Sequence, residues 1–188
     1  MLRLSVLFFF LISSQTIFGQ IVAPGQFGNE LRQSLRDQYG PTHNWDYAEA
    51  RHEMFTNIDN QDGVVRLVYT GKEIETRVVP EHTWVNTEHT WPRSKFGRGR
   101  NRRMMNADIN HLFPTFNKVN SSRGSLPFGD IPDRRTEKWW ISSEAEEGGI
   151  PPQNLDQYSE WINSKFEPRE DHKGNVARAM FYLSLIHI

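Results

Sequence analysis

The chain has 188 residues, with 22 basic and 23 acidic side chains and a formal net charge of −1 when histidine is neutral. That balance excludes a histone-like polycation, and a hydrophobic fraction of 37% excludes a mostly disordered chain. Cysteine is absent, which removes disulfides, thiolate metal sites and cysteine nucleophiles, and the length suits one ordinary domain.

At the N-terminus Arg3 precedes an apolar run, Leu4 to Ile12, broken only by Ser5, and small or polar residues follow up to Gly19. One positive charge, a short apolar core and a small boundary residue predict a secretory signal peptide over residues 1–19. The run is well short of the roughly 20 apolar residues that a membrane span needs. The expectation is an exported protein, free of the membrane after cleavage and monomeric.

Asn29 to Tyr39 then reads as a helix, with Leu31, Leu35 and Tyr39 on one stripe and Gly40-Pro41 ending it. A second helix is expected over Asp46 to Phe55, with Asp46 as its cap. Asp62-Gly63 is a turn before a strand over Val64 to Tyr69. Gly71-Lys72 turns the chain again, into a strand over Ile74 to Val79. Residues 80–135 show little regular periodicity. An acidic loop over Glu144 to Pro152 precedes an expected third helix, Leu155 to Phe166. A terminal helix opens at Asn175, with Val176, Ala179, Met180 and Leu183 on one face. No linker or long repeat divides the chain, so one α+β domain over residues 20–182 is expected. Trp139, Trp140 and Trp161 are assigned to the core, His43, His52 and His172 to surface or capping positions.

The unusual chemistry lies in the aperiodic segment. The string Glu-His-Thr-Trp occurs twice, as Glu81 to Trp84 and as Glu88 to Trp91, and only the second copy is followed by proline, Pro92. Six cations follow, Arg93, Lys95, Arg98, Arg100, Arg102 and Arg103, with no acid between Glu88 and Asp108. A near-neutral chain that gathers its positive charge into one glycine-punctuated loop concentrates potential where a polyanion binds. Directly downstream stand Asp108, Asn110, His111, Lys118, Asn120 and Arg123. Carboxylate and amide oxygens suit a hard cation such as Mg²⁺, with Mn²⁺ or Ca²⁺ as substitutes. An imidazole suits proton removal from water, and arginine suits a phosphate oxygen. Together these groups specify phosphodiester hydrolysis better than any other reaction class. Two carboxylate–imidazole neighbours on one strand point to opposite faces, so Glu88 and His89 share a site only if the strand ends or bends there. The first copy, Glu81-His82, is expected on an exposed strand with no function, and His111 as a packed or hydrogen-bonding residue.

The strings Asn86-Thr87-Glu88-His89-Thr90-Trp91-Pro92, Asp108-Ile109-Asn110-His111-Leu112-Phe113-Pro114 and Val119-Asn120-Ser121-Ser122-Arg123-Gly124 closely resemble the bacterial endonuclease I family. The likeness also takes in Met54-Phe55, Val68 to Gly71, Pro127-Phe128-Gly129 and Ala177 to Tyr182. It implies a secreted nuclease with a ββα-metal (His-Me finger) core, acting on DNA, with RNA as a further substrate. It implies His89 as general base, Glu88 and Asn120 as protein ligands of one Mg²⁺, and products with 5′ phosphates. Arg123, Lys118 and the loop cations Arg93, Lys95, Arg98, Arg100, Arg102 and Arg103 would hold phosphate. Asp108 and Asn110 would orient the base or the ligands, and Arg178 would brace the site. A non-catalytic nucleic-acid-binding protein is the rival reading. The family's further helices, with Gln-Gly-Asn and Asn-Pro-Phe signatures, have no counterpart here. Residues 183–188 match a translated frame of a sequencing adapter and are expected to be a non-native tail on a truncated domain.

Overall fold

The computed structural model describes residues 22–188, and the signal peptide expected over residues 1–19 lies outside them. The first helix, α1 (Gly28–Tyr39), follows the expected stripe. The second, α2 (Tyr47–Glu53), begins at Asp46, whose carboxylate accepts from the backbone N–H groups of Ala48 and Glu49 at 2.8 and 2.9 Å. The Glu49 carboxylate returns the bond to the Asp46 N–H, a reciprocal arrangement that satisfies donors the first helical turn leaves free. A π-helical turn, Met54–Ile58, continues α2 and drives Met54 and Phe55 into the core.

Strands β1 (Asn60–Gln61), β2 (Val64–Arg66) and β3 (Glu73–Glu75) form a small antiparallel sheet. The two longer strands expected here are cut short, because Leu67 to Gly71 folds into a tight loop closed by the bond from Leu67 N–H to the Lys72 carbonyl at 2.7 Å. Gly71 has φ +66°, and a side chain at that position would collide with the Arg169 guanidinium. The loop turns Val68 and Tyr69 away from the sheet, and Val68 donates to Pro114 at 2.9 Å.

The aperiodic segment contains the centre of the molecule. Strand β4 (Val85–His89) pairs antiparallel with β5 (Leu112–Phe116), with Glu88 opposite Phe113 and His89 opposite Leu112. Helix α4 (Asn117–Arg123) follows β5 without a loop, completing a ββα unit. Between the strands runs α3 (Arg100–Ala107), so the basic stretch opens on a 3-10 turn at Arg93–Lys95, is a loop from Phe96 to Gly99 and ends in a helix. Burial of Met105, 1% exposed, against Phe96 and Leu183 holds that helix in place.

The expected helix over Leu155 to Phe166 is absent. Its place is taken by the hairpin β8 (Ser159–Ile162) and β9 (Lys165–Glu167), joined through Asn163-Ser164. With β6 (Lys138–Trp140) and β7 (Ala145–Glu146) it forms a sheet ordered β7-β6-β8-β9. The leucine and aromatic spacing fits a helix, but a two-residue polar turn and an open edge on β6 favour pairing. The last helix, α5 (Glu170–Ile186), starts five residues before its expected opening and buries Val176, Ala179 and Leu183. The main core gathers Phe55, Leu67, Tyr69, Val85, Leu112, Val119, Trp140 and Phe166 beneath the ββα unit. Trp139 and Trp140 are buried as expected, and Trp161 lies half-buried against α4 through its N–H bond to the Ser122 carbonyl at 2.9 Å. No helix among the described residues is long and apolar enough to cross a membrane.

Candidate active site

Strand β4 ends at His89, and Thr90 N–H donates to the His111 carbonyl at 3.1 Å as the chain leaves the sheet. The strand's end lets Glu88 and His89 line one cleft of about 420 Å³ with Tyr47, Arg93, Asn120 and Arg123. The structure therefore brings together the expected base, both expected metal ligands and two of the expected phosphate-binding arginines.

His89 is 5% exposed, and its Nε2 lies 3.1 Å from the Asn106 carbonyl. A carbonyl only accepts, so Nε2 carries the proton and Nδ1 is left with its lone pair. Burial and then the neighbouring His111 push the imidazole down to about 3, with smaller contributions from Arg93 and Arg123, against an upward pull from the Asn106 carbonyl. The ring is neutral across the physiological range, as a proton acceptor must be.

Glu88 is 1% exposed and receives two contacts at Oε1: the Tyr69 hydroxyl donates at 2.7 Å, and Arg123 Nη1 lies 3.3 Å away. Burial raises its carboxyl to about 7 although both neighbours and the His89 backbone N–H favour the anion. A carboxylate held this far from water is stabilised by any further cation. Asn120 donates from Nδ2 to the Thr87 carbonyl at 3.2 Å, leaving Oδ1 as an acceptor on the cleft. One carboxylate and one amide oxygen fit a hard divalent cation that keeps much of its water and takes substrate oxygens. Among the described residues, no cluster of three or more histidine, cysteine, aspartate or glutamate side chains forms a metal site.

Arg123, expected to hold phosphate, lines the cleft but is already engaged with the protein itself. It is 1% exposed, and it donates to the carbonyls of His89 (3.3 Å), Thr90 (2.6 Å) and Gly124 (3.0 Å) beside its contact with Glu88. Its guanidinium also sits 4.4 Å from the Phe128 ring centroid. It clamps the turn after β4 and supplies the counter-charge for Glu88. Arg93, by contrast, is exposed on the cleft, with its guanidinium 5.5 Å from the Tyr47 ring centroid.

The remaining expected residues stand apart. Lys95, Arg98, Arg102 and Arg103 are exposed, Arg100 is the first residue of α3, and Lys118 pairs with Glu144 and does not line the cleft. Asp108 is buried and Asn110 exposed, and neither bonds to Glu88, His89, Asn120 or Arg123. Asp108 instead accepts from the Asn110 backbone and side chain, from Tyr182 at 2.9 Å and from His187 at 2.7 Å. Burial raises its carboxyl, but those bonds outweigh burial and hold it below the ordinary value. His111 is fully buried, with Nε2 2.6 Å from the Met105 carbonyl, the packed role expected of it. Glu81 and His82 are exposed as expected, but in a turn rather than a strand. His172 is a correction: it is 3% exposed, packed edge-on to Tyr69 and Phe113. Arg178 is another, being exposed and bonded to Asn175 rather than to the site.

Sequence reasoning missed Tyr69 and Tyr47. Tyr69 lies 19 residues before its partner Glu88 and reaches it only through the loop at Leu67 to Gly71. Tyr47 comes from the start of α2, its ring 5.4 Å from that of His89.

The family model for Endonuclease I matches residues 26–186. The extracellular ribonuclease of Bacillus subtilis (strain 168) is 28% identical over 170 residues, 87% of this chain and 51% of that protein. The extracellular ribonuclease of Bacillus amyloliquefaciens is 31% identical over 102 residues, 53% of this chain and 28% of that protein. The chain thus spans about half the length of the first of these curated relatives and less of the second. A ββα unit with a neutral imidazole, a buried carboxylate and an amide on one cleft, and a family match over nearly all the described residues, lead to one conclusion: this chain belongs to the Endonuclease I family.

Proposed function

We propose that the chain is the nuclease domain of an extracellular, metal-dependent endonuclease that hydrolyses nucleic-acid phosphodiesters with little regard to sequence. The observation that carries the reading is the His89 imidazole, neutral and fixed through Nε2 to the Asn106 carbonyl, on the same cleft as Glu88 and Asn120. His89 Nδ1 takes a proton from water, the resulting hydroxide attacks phosphorus, and the P–O3′ bond breaks with its electron pair going to the 3′ oxygen, which takes a proton from solvent water. The products carry a 5′ phosphate and a 3′ hydroxyl. Glu88 and Asn120 would hold Mg²⁺, which when bound supplies Lewis-acid stabilisation of the phosphate and leaving oxygen. Tyr69 and Arg123 hold the Glu88 carboxylate in place, and Arg93 meets phosphate at the cleft mouth.

The names of both Bacillus relatives support RNA as a substrate and secretion as the destination. The likeness to endonuclease I supports DNA as well. Contacts of the kind available here, to backbone phosphate, carry no sequence information. The test is incubation of the protein with single-stranded RNA and with plasmid DNA in Mg²⁺, with and without EDTA, beside the His89→Ala variant. Cleavage lost to EDTA and to the variant, with nucleic-acid binding retained, is the expected result. Cleavage that survives both treatments refutes the mechanism, and binding without cleavage by the unaltered protein establishes the non-catalytic alternative.

A further inference from the structure

A second cleft of about 510 Å³ adjoins the first; Trp91, Phe128 and Met180 are among its apolar walls, and Asp130, Glu167 and Lys173 add charged groups to its lining. Pro92 and Arg123 border both clefts, so they share a wall. We propose that this second cleft receives the nucleobase of an unpaired nucleotide next to the scissile phosphate, an inference that rests on reading the first cleft as the hydrolytic site.

Three features favour a base over other occupants. The lining is mostly apolar and in part planar, with Trp91, Phe128 and Met180 beside a minority of charged groups, and such surfaces accept the π-face of any base. The cleft is continuous with the place where phosphate is expected, and a nucleotide carries its base one sugar away from its phosphate. Lys95 stands at the border, exposed and without an ion-pair partner among the described residues, where the next phosphate along the strand would pass. An apolar peptide would use the walls but leave that cation without a counter-charge. A base within a duplex stays stacked and cannot enter, so the cleft selects single strands or locally opened ones.

The Arg123 guanidinium 4.4 Å over Phe128 gives the arrangement a further consequence. The residue that neutralises Glu88 also supports one of the two rings lining the base cleft, so occupancy there bears on the geometry of the metal ligand.

The test compares two single-stranded oligodeoxynucleotides, one normal and one with tetrahydrofuran abasic residues, as substrates of the unaltered protein and of an Ala177→Trp variant. Ala177 is exposed and lines the cleft, so the added indole fills space rather than removing core. The unaltered protein should cleave the normal strand with kcat/KM roughly tenfold above the abasic one, the scale of one base–aromatic stack. The variant should bring that ratio close to one. Equal cleavage of both strands by the unaltered protein overturns the proposal while leaving the hydrolytic site intact. A variant that slows both strands by one common factor, keeping the ratio, overturns it as well. Cleavage of neither strand, with single-stranded RNA left uncut as well, refutes the hydrolytic reading itself and the subsite with it.

Discussion

The two copies of Glu-His-Thr-Trp have the same four side chains in the same order and opposite fates. In the first, Glu81, His82 and Thr83 face water and Trp84 is 53% exposed. In the second, Glu88, His89 and Thr90 are 1%, 5% and 0% exposed. Burial raises the Glu88 carboxyl and lowers the His89 imidazole. What separates the copies is pairing. Glu88 and His89 lie opposite Phe113 and Leu112 on β5, beneath α4 and beside Tyr69, whereas Glu81 to Trp84 is a turn that only leads into β4. A motif is chemistry in waiting, and the tertiary contacts decide which copy is desolvated enough to use it.

The sharpest way to break this contrast is to remove each histidine in turn. His89→Ala should lower kcat by about 10²–10⁴, the scale of a lost general base, and, because the ring is buried, should also lower the melting temperature. His82→Ala should leave both unchanged within error. Steady-state kinetics on one oligonucleotide substrate measures the pair, and equal losses in the two variants would sink the assignment of the base.

Next in size is the counter-charge. Arg123→Ala leaves Glu88 buried beside Tyr69 with no cation, an arrangement that costs about 3–5 kcal/mol when one partner of a buried pair is deleted. Urea unfolding should show that loss, and Arg123→Lys should recover only part of it. Lysine restores charge but not the fork that reaches the carbonyls of His89, Thr90 and Gly124 together. The exposed Arg102, which among the described residues bonds only to the Arg93 carbonyl at 3.4 Å, is the control, and Arg102→Ala should fall within about 0.5 kcal/mol of the unaltered protein. Comparable losses for the two alanine variants contradict the bracing role.

Tyr69→Phe is the smaller perturbation of the same network. It removes one donor from the Glu88 carboxylate while leaving the ring packed on Phe166, centroids 4.7 Å apart. A hydrogen bond to a charged group is worth about 1.5–3 kcal/mol, and part of the loss should appear as weaker Mg²⁺ binding by isothermal titration. Unchanged metal affinity would confine Tyr69 to packing.

How much of this was visible beforehand follows from the range of each interaction. Helices α1 and α2 were legible because a stripe and a cap are local patterns, and Asp46 caps α2 as read. The ββα unit was legible only through its resemblance to a known family, since neither β4 nor β5 alternates cleanly: both are buried on nearly every residue. The hairpin of β8 and β9 was read as a helix because its apolar residues fit the helical period, and the partner that decides the matter, β6, lies about 20 residues upstream. Arg123 was read as a phosphate contact because sequence gives its charge and not its burial. The surroundings of Asp108 are hidden for a similar reason: its partners Tyr182 and His187 arrive from α5 and its cap, 74 and 79 residues away.

His172 tests the same lesson at its weakest point, a histidine expected at a surface or capping position that is buried. Burial lowers its imidazole to about 4 from an ordinary 6.5, more than the nearby Asp171 raises it, and Arg169 and Arg178 add to the lowering. The unfolded chain therefore takes up a proton between about pH 6.5 and 4 that the folded chain refuses. Stability contributed by the neutral ring is complete above pH 6.5 and declines as pH falls toward 4. Between pH 7 and 5 that decline is on the order of 1–2 kcal/mol for this one residue. Asp59 and Glu160, raised by burial to about 6 and about 7, act in the opposite sense, so the raw pH curve mixes the contributions. The difference between the unaltered protein and a His172→Gln variant isolates the histidine, because only its own proton uptake is removed. Unfolding free energies at pH 7 and pH 5 should show a smaller drop in the variant, while His82→Gln, on the exposed copy of the motif, should change the drop by nothing measurable. An identical drop in all three proteins would mean that His172 meets water after all.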